Sequence, residues 1–313
     1  WNCSSSAITR RGSATPDPAT PADAILAGEG PSQGTGLLDS LKDLLRANHA
    51  AMLGLIIVLL FALMAIFAPL IAPYDPYQVM LKDRLKPPSL THLLGTDEIG
   101  RDMFTRVMYG GQVSLMIGLV PSFLSLIIGS TLGLIAGYYG GKVDGVIMRL
   151  ADVMLAFPSL LLAMVVMYIL GATLLNLFIA LSIINWAGTA RVVRAQTLAL
   201  KEKEFIEAAR SMGVKRSKIM FRHILPNCVP SLIVLFTLDI PAAILSESSL
   251  SFLGVGAQPP TASWGLMISQ GKKFAYQCPW LVLAPGVAIL LITLAFNFLG
   301  DGLRDAIDPY LKT

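Results

Sequence analysis

The feature that most constrains this chain is a series of long stretches without a charged side chain. The four longest are residues 50–74, 107–141, 153–190 and 274–300. A helix of about 20 apolar residues is enough to cross the hydrocarbon core of a membrane. Only 14% of the residues are charged, against about 25% in a typical soluble domain. This pattern excludes a largely disordered chain and favours a polytopic membrane protein over a large soluble helical fold.

The charge-free stretches predict an all-α polytopic membrane protein with six transmembrane helices. Gly171 offers a break that divides the 153–190 stretch into two spans, and a shorter apolar stretch on both sides of Asp239 supplies another. The predicted helices cover roughly 51–73, 113–138, 146–170, 174–196, 227–250 and 281–300. Residues 50–313 are therefore predicted to form one transmembrane domain.

Three glycines in the second predicted helix are four residues apart. Gly129, Gly133 and Gly137 form a stripe of small residues, which is typical of close packing between transmembrane helices. Lining of a pore is the alternative interpretation.

The distribution of basic residues predicts the orientation in the membrane. Residues 191–223 hold nine Lys and Arg against three acids, whereas residues 75–112 hold five of each. Cytoplasmic loops carry the excess of basic residues, so 191–223 is predicted to be cytoplasmic, and with six spans both termini are cytoplasmic as well. The net charge of +4 is thus local, and no basic face for nucleic acid is expected.

The N-terminal region differs from the rest of the chain. Ser, Thr, Pro, Gly and Ala make up 24 of the first 36 residues, which predicts a disordered tail over residues 1–36. The tail begins with Trp1, so part of it is expected to derive from cloning. Residues 37–49 predict an amphipathic helix on the membrane surface, or alternatively a simple lead-in to the first span.

Motifs for catalysis are incomplete. The stretch closest to a phosphate-binding loop, Gly137–Lys142, has Ala136 at a required glycine position and Val143 in place of Ser or Thr. The three histidines, His49, His92 and His223, have no ligand spacing. The chain is therefore expected to have no catalytic site and to bind no metal or cofactor.

Two local expectations concern charged residues near helix ends. Thr96 is predicted to cap a short helix with Asp97 and Glu98 in its first turn. Arg149 and Asp152 are three residues apart on one helix, a spacing that favours an ion pair.

The most informative segment lies within the basic loop. Residues 203–212 predict a short helix, and Gly213 stands where a left-handed residue ends such a helix. One predicted face is apolar and contains Phe205, Ala208, Ala209 and Met212, and the opposite side contains Glu204, Glu207 and Arg210. A short cytoplasmic helix with this face is expected to have no core of its own and to dock into a partner. A helix that lies on the lipid surface is the alternative.

These residues carry a resemblance. The pattern Glu207-Ala208-Ala209 followed by Gly213, with Ile-Leu-Pro ending at Pro226, resembles the EAA loop of ABC importer permeases, although His223 stands where the family usually has Ile. Four further blocks resemble the dipeptide/oligopeptide/nickel permease family, and in particular the second permease of its heterodimer. They are Gly95–Asp102, Arg149–Pro158, Phe252–Gly265 and Phe296–Pro309. The resemblance extends from about residue 48 to 311.

The resemblance implies a type I ABC importer permease fold with a cytoplasmic coupling helix between transmembrane helices 4 and 5. The implied coupling residues are Phe205, Glu207, Ala208, Ala209, Met212 and Gly213. The implied partners are a homologous second permease, two ATPase subunits that carry ATP and Mg²⁺, and a periplasmic or lipid-anchored substrate-binding protein that docks on 75–112 and 251–280. The implied location is the bacterial cytoplasmic membrane. The implied substrates are di- and oligopeptides, with nickel chelates or glutathione-like solutes as alternatives.

Two acids lie within the fifth predicted helix. Asp239 and Glu247 are eight residues apart, and an acid inside a transmembrane helix costs about 2.5–3.5 kcal/mol on insertion scales. They are predicted to form an acidic stripe along a translocation pathway for a substrate with an ammonium group. The alternative is a structural hydrogen bond or ion pair with the second permease.

Other classes of function remain as alternatives. A secondary transporter or channel that works alone is typically built from internal repeats with several intramembrane ionisable residues, and we find no convincing repeat. A membrane-embedded enzyme is disfavoured by the incomplete motifs.

Overall fold

The computed structural model describes residues 48–307, and this part of the chain is almost entirely helical. Its helices are α1 (His49–Ile66), α2 (Ala68–Ile71), α3 (Met103–Tyr139), α4 (Gly141–Ala156), α5 (Ser159–Leu170), α6 (Leu174–Leu200), α7 (Glu204–Ser211), α8 (Arg216–Lys218), α9 (Leu225–Phe252), α10 (Trp264–Gly271) and α11 (Trp280–Ile307). Short 3₁₀ turns cover Leu81–Asp83 and Lys272–Phe274, and a π-helical segment, Ile219–Ile224, joins α8 to α9. The predicted tail 1–36 and most of the predicted helix 37–49 lie outside the described residues.

The prediction of an all-α membrane protein is confirmed. Five helical stretches of the described chain are long and apolar enough to cross a membrane, and the bent pair α4–α5 makes a sixth span when it is counted as one. The short helix α7 lies between the fourth and fifth of these spans, as predicted.

Helix α3 begins ten residues before the predicted start of the second span. Asp102 caps it, since its carboxylate accepts a hydrogen bond from the backbone N–H of Thr105 at 2.8 Å. Arg106 in the first turn is buried beside Asp97. The prediction from sequence placed Arg106 in a loop. The structure places it in α3, where the carboxylate of Asp97 compensates its charge.

The third predicted span, 146–170, is broken. Helices α4 and α5 meet at an angle of 94°, and Phe157 between them has an extended backbone with ψ of 140°. Pro158 is the cause, because proline disfavours the helical conformation of the residue before it. The dipeptide Phe157-Pro158 is the feature of the sequence that could have predicted this break.

The glycine stripe of α3 packs against α6, and these two helices form the most extensive helix pair of the described chain. A Cβ at Gly129 would lie 2.6 Å from the carbonyl oxygen of Trp186, and a Cβ at Gly137 would lie 2.6 Å from the Cβ of Thr197. At Gly133 it would overlap the carbonyl oxygen of Ala190. The predicted close packing is confirmed, and these glycines do not line a pore.

The spans give the bundle two ends, named here by the short helices that lie there. At the α10 end, the indole N–H of Trp264 donates to the carbonyl of Val107 at 2.9 Å near the start of α3. At the α7 end, Ala209 and Ile206 of α7 share an apolar cluster with Leu134 near the end of α3. Consecutive spans run in alternating directions between these ends, so α1 begins and α11 ends at the α7 end.

Candidate functional site

Helix α7 is held against the bundle by one face and leaves another face uncovered. Ile206 and Ala209 are 0% and 3% exposed and lie in a cluster with residues of α3, α6 and the π-helical segment. Phe205 and Met212 are 45% and 76% exposed, and Ala208 between them is exposed as well. The uncovered apolar surface of Phe205, Ala208 and Met212 is called the coupling face below.

The structure corrects the predicted face of this helix. Ala209 was expected to face a partner, but it is buried within this chain, and Ile206, which sequence reasoning did not single out, is its neighbour in the core. The expectation that the helix has no core of its own is therefore wrong. The physical reason is that Ile206 and Ala209 are about one turn apart and share a helix face. This face is a second apolar stripe beside the predicted one.

The ends of α7 follow the sequence closely. The helix covers Glu204–Ser211, within the predicted 203–212. Gly213 has a φ of +74°, a left-handed conformation that glycine adopts without steric cost. Glu207 is exposed on the side of α7 away from its core residues, so it is available to a partner.

The connection from α7 into the fifth span passes through the π-helical segment Ile219–Ile224. Pro226 in the first turn of α9 has no N–H to offer the carbonyl of Arg222, and a π-helical widening relieves the clash of its ring with the preceding turn. Ile219, Met220 and Ile224 are buried in the same cluster as Ile206. Helix α7 and the start of the fifth span are therefore packed as one unit.

Two ion pairs fix α4 against α6 near the α7 end. Arg194 donates to both carboxylate oxygens of Asp144 at 2.5 and 2.6 Å, and Arg191 donates to Asp152 at 2.5 Å. The predicted pair of Arg149 with Asp152 is therefore wrong. Asp152 takes the basic residue of the neighbouring helix because α4 packs on α6 through Ala151.

The acid Asp239 lies in the middle of α9 and is only partly covered by this chain. Within residues 48–307 it has no basic partner within 4 Å. Ala242, Ser246 and Ser249 follow it at helical spacing, and each is exposed or partly exposed. The uncovered face of α9 thus carries one acid together with small, polar and apolar side chains, the last including Leu245, which is 49% exposed.

Glu247 does not share this face, which corrects the predicted acidic stripe. Its side chain is 0% exposed, and its Oε1 accepts hydrogen bonds from the hydroxyls of Ser251 and Ser263 at 2.6 and 2.8 Å. A Cβ at Gly265 would lie 2.7 Å from Oε2 of Glu247, so only glycine leaves room for the carboxylate. The physical reason is that an eight-residue separation rotates the side chain by about 80° around the helix.

The α10 end contains a buried charge cluster that sequence reasoning missed. Asp97 accepts a hydrogen bond from Arg101 at 2.6 Å and lies 3.5 Å from Arg106. Thr96 pairs with Asp102 in an isolated β-bridge, so the predicted short helix at Thr96 is absent from this segment. The equal number of acids and bases in 75–112 was the available signal, because buried charges require partners.

An exposed ion pair lies beside this cluster. Lys86 donates to Asp83 at 2.6 Å, and this bond holds the pKa of the Asp83 carboxyl below its usual value. Within residues 48–307, no group of three or more His, Cys, Asp and Glu side chains is placed to hold a metal ion. The described chain is thus a bundle of membrane-spanning helices with the partly exposed helix α7 at one end.

Comparisons with known proteins agree with this geometry. Residues 129–313 match the family described as binding-protein-dependent transport system inner membrane component. Residues 43–88 match the N-terminal transmembrane domain of oligopeptide transport permease C.

Relatives extend the match over most of the chain. The dipeptide transport system permease protein DppC of Alkalihalophilus pseudofirmus is 48% identical over 86% of this chain and 88% of its own. The oligopeptide transport system permease protein OppC of Bacillus subtilis is 44% identical over 85% and 88%. The glutathione transport system permease protein GsiD of Escherichia coli O157:H7 is 48% identical over the same shares.

A solved structure shares the fold. The chain is similar, with a TM-score of 0.54 and 21% identity, to a chain of the MetNI methionine ABC transporter in an inward-facing conformation, over 66% of this chain and 98% of that one. The helical architecture, the family matches over the spans and the relatives that cover most of the chain lead to one conclusion: this protein belongs to the family of binding-protein-dependent transport system inner membrane components, as an ABC importer permease subunit of the dipeptide/oligopeptide type.

Proposed function

We propose that this chain is one of two homologous permease subunits that form a path for di- and oligopeptides across the bacterial cytoplasmic membrane. The peptide assignment is supported by the relatives named as dipeptide and oligopeptide permeases at 48% and 44% identity. Glutathione is itself a peptide, and the permease named for it is equally similar at 48%. It is therefore the second candidate substrate.

The observation that carries the ATP-driven mechanism is the coupling face of α7. Phe205 and Met212 are large apolar side chains on an exposed helix, and Ile206 and Ala209 fix that helix to the start of the fifth span through the buried cluster. A movement of the coupling face would therefore be transmitted to α9 through packed side chains rather than through a flexible loop. Two ATPase subunits, which hold the ATP and Mg²⁺, supply that force in this proposal, and the chain itself performs no bond chemistry.

The orientation follows from the same proposal. The α7 end is cytoplasmic, because its segment 191–223 carries nine basic residues. The termini are then cytoplasmic as well. The α10 end faces outward, where segments 75–112 and 251–280 receive a substrate-binding protein.

The translocation path in this proposal follows the uncovered face of α9. Asp239 is the acid on that face, and Ser246 and Ser249 lie on the same face about two and three turns further along, so the carboxylate attracts a peptide ammonium group as it passes. The second permease subunit closes the path from the other side. Glu247 belongs to the scaffold instead, because it is buried behind this face.

The test is co-purification of the ATPase subunits with the permease complex. Phe205→Glu combined with Met212→Glu places two charges on the coupling face, and the recovered ATPase should fall at least severalfold. Leu90→Glu is the matched control, because Leu90 is 99% exposed at the α10 end. Unchanged recovery for the double variant, or uptake of peptides by vesicles that contain only this chain, would refute the proposal.

A further inference from the structure

The uncovered face of α9 ends, at the α10 end of the bundle, in two large apolar side chains. Phe252 and Leu253 are 47% and 52% exposed. They lie 13 and 14 residues beyond Asp239, which corresponds to about 20 Å along a helix. A hollow of about 390 Å³ joins them to the rest of this face, and its lining residues are Leu245, Ser248, Ser249, Phe252 and Leu253.

Phe252 is held by Lys272, which follows α10. Nζ of Lys272 donates to the carbonyl oxygen of Phe252 at 2.9 Å and lies 4.2 Å from the centre of its ring. This carbonyl belongs to the last turn of α9, where carbonyls have no donor within the helix and a cation interacts favourably with the helix dipole. The ring contact is a cation–π interaction. One ammonium group therefore fixes both the backbone and the ring of Phe252.

The backbone before Lys272 is closely packed. Gly271 is buried, and a Cβ there would lie 2.9 Å from the Cβ of Leu281 in α11. The ammonium of Lys272 has no carboxylate within 4 Å among residues 48–307, so no ion pair in this part of the chain competes with Phe252. The adjacent Lys273 is also exposed and has no such contact with an aromatic ring in the same residues.

We propose that Lys272 is a positioning residue that keeps Phe252 at the outer end of the translocation path, where Phe252 and Leu253 form this subunit's part of an outer closure. The inference rests on the proposed function, which directs the α10 end outward and the path along α9. An apolar constriction opposes the passage of a peptide, because it offers no replacement for the hydrogen bonds that the peptide makes with water. Lys272 lies in segment 251–280, so this contact also connects the docking segment to the path.

The experiment measures passive efflux of a labelled dipeptide from vesicles that contain the complete importer, without ATP and without substrate-binding protein. Lys272→Met removes the ammonium group and keeps a long unbranched side chain. Efflux should rise roughly two- to fivefold, which is the factor that corresponds to an exposed cation–π contact. Phe252→Ala should raise efflux at least as much, because it removes the ring itself. Lys273→Met is the matched control and should leave efflux unchanged.

Two further variants separate positioning of the ring from simple capping of α9. Lys272→Arg keeps a cation beside the ring and should retain the low efflux of the unaltered importer. Phe252→Ala combined with Lys272→Met should show no more efflux than Phe252→Ala alone, because Lys272 acts through the ring. If Lys272→Met does not assemble into the importer, Lys272→Gln makes the same test.

Three outcomes overturn the proposal. Unchanged efflux in both Lys272→Met and Phe252→Ala would refute the outer closure. An equal rise in Lys273→Met would show only a general effect of charge at this end. A lower unfolding midpoint of Lys272→Met without added efflux would leave Lys272 as an end cap of α9. Failure of the proposed function has a different signature, since the unaltered importer would then show no ATP-driven uptake of peptides.

Discussion

The carboxylate of Glu247 and the hydroxyl of Ser263 lie 2.8 Å apart although sixteen residues separate them in the chain. Ser251 donates to the same oxygen at 2.6 Å. Both hydroxyls also accept from backbone N–H groups, of Leu266 in one case and of Ala257 in the other. The acid is therefore the centre of a network that closes the loop between α9 and α10.

Replacement of Glu247 by Leu should destabilise the protein. It removes the acceptor of two buried hydroxyls, and each unsatisfied buried group costs about 1–3 kcal/mol. Glu247→Gln keeps a carbonyl oxygen at this position and should lose much less. Thermal unfolding in detergent measures both, and a Leu variant as stable as the unaltered chain would contradict the structural role.

Asp239→Asn should lower transport without a comparable loss of stability. Asp239 lies on the uncovered face of α9 and has no basic partner within 4 Å in the described chain, so its charge is free to act on a substrate. Uptake of a peptide with a free amino terminus should fall more than uptake of its N-acetylated form. Glu247→Gln is the control acid on the same helix, and equal uptake of both peptides by Asp239→Asn would exclude this role.

Gly133→Ala should weaken the packing of α3 on α6. The added Cβ would overlap the backbone of Ala190, and overpacking of this kind costs about 1–3 kcal/mol. Gly188→Ala is the matched control, since a Cβ there meets nothing within 4 Å and alanine is the better helix former. The unfolding midpoints should therefore move in opposite directions, and equal midpoints would contradict the packing.

Two adjacent alanines of α7 separate folding from docking. Ala209→Trp places an indole in the buried cluster of Ile206 and Met220 and should lower the unfolding midpoint. Ala208→Trp enlarges only the exposed coupling face. It should leave the midpoint unchanged and reduce the amount of ATPase that co-purifies. A destabilised Ala208→Trp variant, or a stable Ala209→Trp variant, would contradict the assignment of the two faces.

The sequence alone determined the class of the protein and the order of its spans. Few soluble folds contain several charge-free stretches that are longer than the thickness of a membrane. The EAA pattern with Gly213 located the short helix between the fourth and fifth spans to within one residue at each end. Local signals of this kind depend on hydropathy and backbone preference. They depend on residues that are close together in the chain, and they can therefore be recognised from the sequence alone.

The tertiary structure decided which face of each helix is covered. Helical spacing assigned both Ala209 and Glu247 to uncovered surfaces. In the structure, Ala209 packs in the same buried cluster as Ile206, and Glu247 accepts a hydrogen bond from Ser263. In the same way Asp152 bonds Arg191 rather than Arg149. A helix with two apolar stripes can bury either stripe, and an acid with several possible donors can pair with any of them. The sequence is therefore consistent with more than one arrangement. Only packing between distant segments selects among them, because burial free energy depends on neighbours that are far away along the chain.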